Sequence, residues 1–247
     1  MKIKITLVKI GYIDRFVDLK KIMKWRSGIF DIIEIQAVDY LPDSEMYDTY
    51  LDQKFTRDDL REIFSCPAGS NFAVAITSYR FIDNFYMHRI AQDRVGISLY
   101  GIPEILGIEN ISIENFIIKC LYEICAISLI ADISNDAEVY GLIHRDTRGC
   151  LFDMNGDRTD ILYNTEKPII CSSCTEKFNR NQTRQGIIPT FNKELRKIRK
   201  STLLIIEGSI RKYPLFSIVL GALIGSAISS LFTPLFEILM VLINTLS

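Results

Sequence analysis

At 247 residues the chain has room for one sizeable folded domain and a further segment. Its 29 Lys and Arg against 30 Asp and Glu leave a formal net charge of −1, which argues against a general nucleic-acid binder. With only two histidines, a three-histidine metal site is excluded, and six cysteines must be assigned to core, disulfide or metal.

Lys2 to Leu7 alternates, with Ile3, Ile5 and Leu7 on one face, and predicts a half-buried strand ending at Val8. Asp14 to Trp25 carries Phe16, Leu19, Ile22 and Met23 at helical spacing. Phe30 to Val38 reads as a second strand, and Asp43 to Leu51 as a polar connector containing tyrosines. Thr56 is placed to cap a helix running to about Phe64, with Asp58 and Asp59 in its first turn. Phe72 to Thr77 and Arg94 to Tyr100 are further strands. Ser112 then caps a long helix, Ile113 to about Tyr140, with Gly141 as its stop. This helix is apolar almost all round as far as Ile133, the mark of a buried helix. Residues 141–190 read as irregular. The expected fold is α/β, a mixed sheet packed on helices.

The chemistry concentrates in the irregular region. His144 is followed by Cys150, then twenty residues, then Cys171-Ser-Ser-Cys174. A Cys-x-x-Cys knuckle with a distant Cys and His is the donor set of a structural zinc site, tetrahedral and closed by four protein ligands. Asp146 and Asp153 are alternative oxygen donors to His144. Glu138 is a weak candidate as a ligand or catalytic carboxylate, against a solvated helix face. Cys120 and Cys125 lie in the apolar helix as core residues. Glu123 lies in the same stretch, where a carboxylate needs a buried partner or marks a site. His88 is expected at a surface or rim. Asp153-Met-Asn155-Gly156-Asp157 lacks the distal glutamate of a calcium loop and reads as a turn. Tyr40, Tyr47 and Tyr50 are expected in ordinary loop packing.

The last quarter of the chain changes character. Residues 191–213 carry Lys193, Arg196, Lys197, Arg199, Lys200, Arg211 and Lys212. Leu195, Ile198, Thr202, Ile205, Ile206 and Ile210 recur at roughly helical spacing, a basic amphipathic helix suited to anionic headgroups. Leu215 to Ile243 holds a single charge, Glu237, and Leu215 to Phe232 is long enough to span a bilayer. Gly221, Gly225 and Ser229 fall on one face, a pattern that permits close helix association and homo-oligomers. The N-terminus, MKIKITLVKIGYIDRF, does not read as a secretory leader. With basic residues before the span, residues 1–213 are expected on the cytoplasmic side of the inner membrane, where cysteines bind metal rather than pair. The organisation expected is therefore a cytoplasmic domain over 1–190, a juxtamembrane helix over 191–213, and a single span with a C-terminal foot over 214–247.

Residues from about 70 to 178 resemble the archaemetzincins, zinc metallopeptidase-like proteins. Phe72-Ala-Val-Ala-Ile-Thr77 and Val95-Gly-Ile-Ser98-Leu-Tyr100 are similar to two of the family's strands, and the long helix takes the place of its active-site helix. Gly141-Leu-Ile-His144 matches the end of the family's HExxHxxGxxH motif. Cys150 then stands at the second of its structural cysteines, and Cys171 and Cys174 at the final knuckle. Arg145 replaces the first cysteine. Counting back from His144, Ser134 and Glu138 replace two zinc histidines, and Asn135 the catalytic glutamate. The resemblance implies a zincin-like fold that has lost its catalytic metal and kept a structural zinc, with His144 standing in for the missing cysteine. The reading that follows is a membrane-anchored binding or sensing module with an unidentified protein partner. The alternatives are a membrane-perturbing, pore-forming effector that uses Pro234 and Glu237, and an active peptidase with unusual ligands.

Overall fold

The computed structural model describes residues 2–39, 54–180 and 186–198, and beyond them 206, 210, 212–215, 218, 219, 221–230 and 232. Asp43 to Leu51 and the three tyrosines at 40, 47 and 50 lie outside the described residues, as do Pro234 and Glu237.

Among the described residues, five strands form a mixed sheet in the order β2-β1-β4-β7-β6: β1 Ile3–Ile10, β2 Phe30–Val38, β4 Phe72–Thr77, β6 Met87–Ala91 and β7 Arg94–Ser98. The first four run parallel, and β6 pairs antiparallel with β7 to make one edge. A short parallel pair, β3 Lys54–Phe55 and β5 Arg80–Phe81, stands apart. The mixed α/β class is as expected. The strands Phe30–Val38 and Phe72–Thr77 fall on the residues predicted.

The first strand departs from expectation. It runs on to Ile10 and is buried on both faces. Ile5 and Leu7 join the larger core, with Phe72, Val74 and Ile76. Val8 and Ile10 join a second core, with Ala73, Ala75, Phe55, Leu60 and Phe81. A layer made by β3, β5 and helix α2, Arg57–Ile63, covers the face that the alternating lysines left open to solvent. Parallel strands in the middle of a sheet are covered on both sides for this reason. Gly96 in β7 lets that layer come close, since a Cβ there would meet Leu60 and Phe81 side chains at 3.2 Å. Helix α2 starts where the sequence places it: Thr56 Oγ1 accepts from Asp59 N–H, and the Asp59 carboxylate accepts from Thr56 N–H.

Two helices are shorter than their periodicity. Asp14–Trp25 was expected as one helix, but α1 covers only Leu19–Met23. The Asp18 carboxylate accepts from the N–H groups of Lys20 and Lys21, and this cap fixes the start. The long helix ends early as well. Helix α4 is Ile113–Ile130, capped by Ser112, and a separate α5 covers Asp136–Tyr140. Between them Asp132 accepts from the N–H and hydroxyl of Ser134, Asn135 caps α5, and Glu138 reaches back to Asp132 N–H. These short polar side chains offer the backbone partners outside the helix, and the run breaks there. Gly141 ends α5, as predicted.

Strand β6 and helix α3, Ile102–Ile108, were not predicted. The region 141–190, read as irregular, carries a 3-10 turn at Arg158–Asp160 and helices α6 Ile161–Glu166 and α7 Ser172–Arg180. Helix α8, Ile187–Leu195, buries Phe191, Glu194 and Leu195, and Ile198 is buried after it. Glu194 accepts from Ser27 Oγ, Gly28 N–H and Tyr122 Oη, at 2.6–2.7 Å. Leu195 and Ile198, expected on the membrane-facing stripe of the basic helix, are thus core residues. The compact unit runs Met1–Arg199, and Lys200–Ser247 forms a second unit. In that second unit residues 221–230 are helical and exposed, and nothing lies within 4 Å of a Cβ placed on Gly221 or Gly225. Among the described residues no helix is long and apolar enough to cross a membrane, and the expected span is only partly described.

Glu123 has the buried ion-pair partner that its position called for. Lys119 Nζ lies 2.9 Å from Glu123 Oε2, one turn apart on α4, and 3.2 Å from Tyr86 Oη. Burial opposes the charge on Lys119, but Glu123 and Tyr86 outweigh it and hold the ammonium well above the usual lysine range. Removing one partner of such a pair leaves a buried charge. Lys119→Met alone should therefore lower stability in urea titrations by about 3–5 kcal/mol, whereas Lys119→Met/Glu123→Leu should recover most of that loss.

Candidate functional site

His144 is held by a short backbone bridge, its N–H donating to Phe152 C=O and its C=O accepting from Met154 N–H, both at 2.9 Å. Cys150 follows Gly149, which turns the chain at φ +70°, a conformation glycine adopts at little cost. A second bridge joins the segment around Cys150 to the one before the knuckle: Leu151 N–H donates to Ile169 C=O, and Ile169 N–H to Gly149 C=O. Cys171 and Cys174 flank the start of α7, so one helical turn brings both sulfurs to the same side.

The four side chains converge. His144 Nε2 lies 3.0 Å from Cys174 Sγ and 3.3 Å from Cys171 Sγ, and Cys150 Sγ lies 4.0 Å from Cys174 Sγ. All four donor atoms fall within 4.8 Å of one another. The edges of a tetrahedron about zinc, with Zn–S near 2.3 Å and Zn–N near 2.0 Å, are about 3.5–3.8 Å. The donors thus fit one ion, and the group can bind zinc. Further donors surround the sulfurs. Cys171 N–H points at Cys150 Sγ (3.5 Å), and Ser173 Oγ lies 3.1 Å from Cys171 Sγ, with Arg148 Nη1 donating to Ser173. The contact with Cys174 brings the Cys150 thiol down to about 6 against the effect of burial. Cys174 moves the other way, because the contact with Cys150 and then burial favour its protonated form. Three thiols and an imidazole crowded this closely compete for the same protons, and a cation that takes thiolates would relieve that competition.

The alternative donors are elsewhere. Asp146 is exposed and pairs with Arg148 at 2.7 Å. Asp153 is buried, and its Oδ2 accepts from the N–H groups of Arg148 (2.8 Å) and Cys150 (2.9 Å), so it shapes the ligand loop without entering the group. Glu138 is exposed and caps the loop between α4 and α5, in keeping with the solvated-face reading. Ser134 and Asn135 belong to that same loop. Among the described residues no other group of three or more His, Cys, Asp or Glu side chains converges in this way. Cys120 and Cys125 are buried in the core, as expected, and Asp153–Asp157, read as a turn, is irregular with a bend at Gly156 and Asp157, Asn155 at φ +51° and Asp157 capping the 3-10 turn.

Next to the metal group is a cleft of about 200 Å³ that sequence reasoning did not anticipate. One wall is the edge of the sheet around β6, with Tyr86, Met87, His88 and Arg89. Another is α4, with Glu123, Ile124 and Ile127. The metal-bearing loop closes it with Ile143, Asp153 and Met154. Lys119 and Glu123, four apart in an apolar helix, were the one visible sign of a polar feature on this floor. His88 corrects the surface expectation: it is 7% exposed, 2.7 Å from Asp83, with its ring tilted against Phe81. The reason is that β6, unpredicted, carries it inward.

No family model matches the chain, and no curated protein matches it. Among solved structures it is similar to archaemetzincin from Methanopyrus kandleri, at 15% identity and a TM-score of 0.49, covering 74% of this chain and 97% of that one. It is also similar to archaemetzincin from Archaeoglobus fulgidus, solved in complex with malonate, at 12% identity and a TM-score of 0.41, covering 71% and 99%. Both of these structural neighbours are archaemetzincins.

Two outcomes are expected here. Wild-type protein should carry one zinc per chain by elemental analysis. Cys174→Ser should lose it together with several degrees of Tm, because the bond energy of a structural zinc is folding energy. Burial holds the His88 imidazole below its usual 6.5, although Asp83 pulls the other way. The unfolded chain therefore binds this proton more readily. The His88 contribution is fully present above pH 6.5 and is lost as pH falls below it. Stability measured from pH 7.5 to 5 should fall less in His88→Gln than in the wild type.

Proposed function

We propose that this protein is a zinc-stabilised binding module rather than a hydrolase, held at the cytoplasmic face of the membrane by its C-terminal segment. The observation that carries the reading is the closed donor set. His144, Cys150, Cys171 and Cys174 offer four protein ligands to one tetrahedral ion, which leaves no position for an activated water. The zinc would act as a cross-link. It would pin the loop that supplies Ile143, Asp153 and Met154 to the cleft, and the cleft is where a partner or ligand would be recognised. Loss of catalysis is further supported by Glu138, which faces solvent and is committed to a loop hydrogen bond.

Attachment to lipid is supported by the stretch Leu215–Ile243, which holds a single charge, Glu237, and by the basic residues before it. Leu215, Ile218, Leu223, Ile224 and Phe232 are exposed, as lipid-facing residues would be. The open faces at Gly221 and Gly225 suit association with a second copy.

Purified full-length protein should show no chelator-sensitive cleavage of casein or of a mixed peptide library, and Glu138→Gln should change nothing. It should sediment with membranes after a carbonate wash. Chelator-sensitive proteolysis abolished by Glu138→Gln would overturn the non-catalytic reading, and extraction by carbonate would overturn the anchor.

A further inference from the structure

The metal loop and the cleft share Asp153. Its Oδ2 is engaged by two backbone N–H groups of the ligand loop. Its Oδ1 has no hydrogen-bond partner, in a residue that is 1% exposed and lines the cleft. Leaving a buried acceptor unpaired costs about 1–3 kcal/mol, and native proteins seldom tolerate it without a purpose.

A second carboxylate stands on the same floor. Glu123 is 5% exposed and lines the cleft, with Oε2 engaged by Lys119. Burial pushes its carboxyl up against the pull of Lys119, and the nearby Asp153 adds to the push. The floor therefore holds two carboxylates against one ammonium. The rim arginines do not make up the difference. Arg57 keeps its charge, its Nη2 donating to Tyr140 Oη at 3.0 Å, but Asp83 lines the same cleft and offsets it, and Arg89 is paired with Asp136 and the Ile133 carbonyl. Opposite the β6 edge the lining is apolar, with Phe72, Val95, Ile124, Ile127 and Met154.

An orphan acceptor and an excess carboxylate beside an apolar lining call for a donor-bearing cation on an apolar body. Size narrows the class. A dry cavity of about 150 Å³ holds benzene, and this cleft is about 200 Å³. We infer that the cleft binds a small primary ammonium carrying an aromatic ring or a comparable aliphatic group, with the ammonium donating to Asp153 Oδ1 and Glu123. This deepens the binding-module reading and rests on it.

The test uses full-length protein in detergent, titrated calorimetrically with 2-phenylethylamine, 2-phenylethanol and 3-phenylpropanoate. The amine should bind at least tenfold tighter than the alcohol, and the carboxylate should not bind detectably. Asp153→Asn keeps an acceptor for the two loop N–H groups but places an NH2 where Oδ1 stood. With an unchanged near-UV spectrum, it should lose at least tenfold in amine affinity and change the alcohol by less than twofold. Ile127→Trp, which fills the cleft from α4, should abolish binding of the amine and the alcohol. An alcohol or carboxylate that matches the amine on wild-type protein overturns the ammonium assignment and leaves the cleft as a binding site. Amine binding indifferent to both variants overturns it too, by placing the ligand elsewhere. Failure of all three probes overturns it, while the proteolysis and zinc measurements decide the binding-module reading separately.

Discussion

The convergence of His144, Cys150, Cys171 and Cys174 is the constraint on which the second half of the domain depends. The region from Gly141 to Arg180 is built from a bridge at His144, a bridge at Cys150, a 3-10 turn and two short helices. Helices of this length do not persist unaided, since nucleation takes several ordered residues for a single hydrogen bond. Core burial helps through Leu151, Phe152, Ile161 and Phe178. A metal cross-link of about 10–16 kcal/mol, as found in small zinc modules, is large on this scale. It would decide not only whether the loop folds but where Ile143, Asp153 and Met154 stand along the cleft.

A second polar system runs through the core. Lys119, Glu123, Tyr86 and Asn155 are joined on one side of α4. About a quarter-turn round the helix, Trp25 donates to Tyr122, and Tyr122 to Glu194 of α8. An apolar helix packs tolerably in more than one rotation. Buried polar partners select one, because any other rotation leaves them unpaired. The same chain of contacts carries the Lys119–Glu123 pair to the cleft floor, next to Asp153. Structural specificity and the polar character of the cleft thus arise from the same few residues.

Much of this was legible in local pattern. The strands Phe30–Val38 and Phe72–Thr77, the Thr56 cap and the Gly141 stop depend on neighbours in sequence, and local chemistry settles them. The metal donors were legible for a different reason: cysteine and histidine are scarce here, and the Cys-x-x-Cys spacing has a stereochemical meaning of its own. Helix ends were harder. Periodicity carried α4 past Ile130, while Asp132, Ser134 and Asn135 ended it by local side-chain capture. Those residue types stood in plain view but were outweighed by the apolar run.

The sequence by itself determined β2, β4, the starts of α2 and α4, and which four residues can hold a metal, since propensity, capping and ligand chemistry are local properties of residue types. Only the tertiary structure decided what those elements face. It buried both sides of β1 under a layer from distant residues. It turned His88 inward on an edge strand, and drew Leu195 and Ile198 into the core although their spacing equally suited a lipid surface. It also placed Asp153 between the metal loop and the cleft. Each of these depends on contacts between residues far apart in the chain, for which a linear pattern holds no signal.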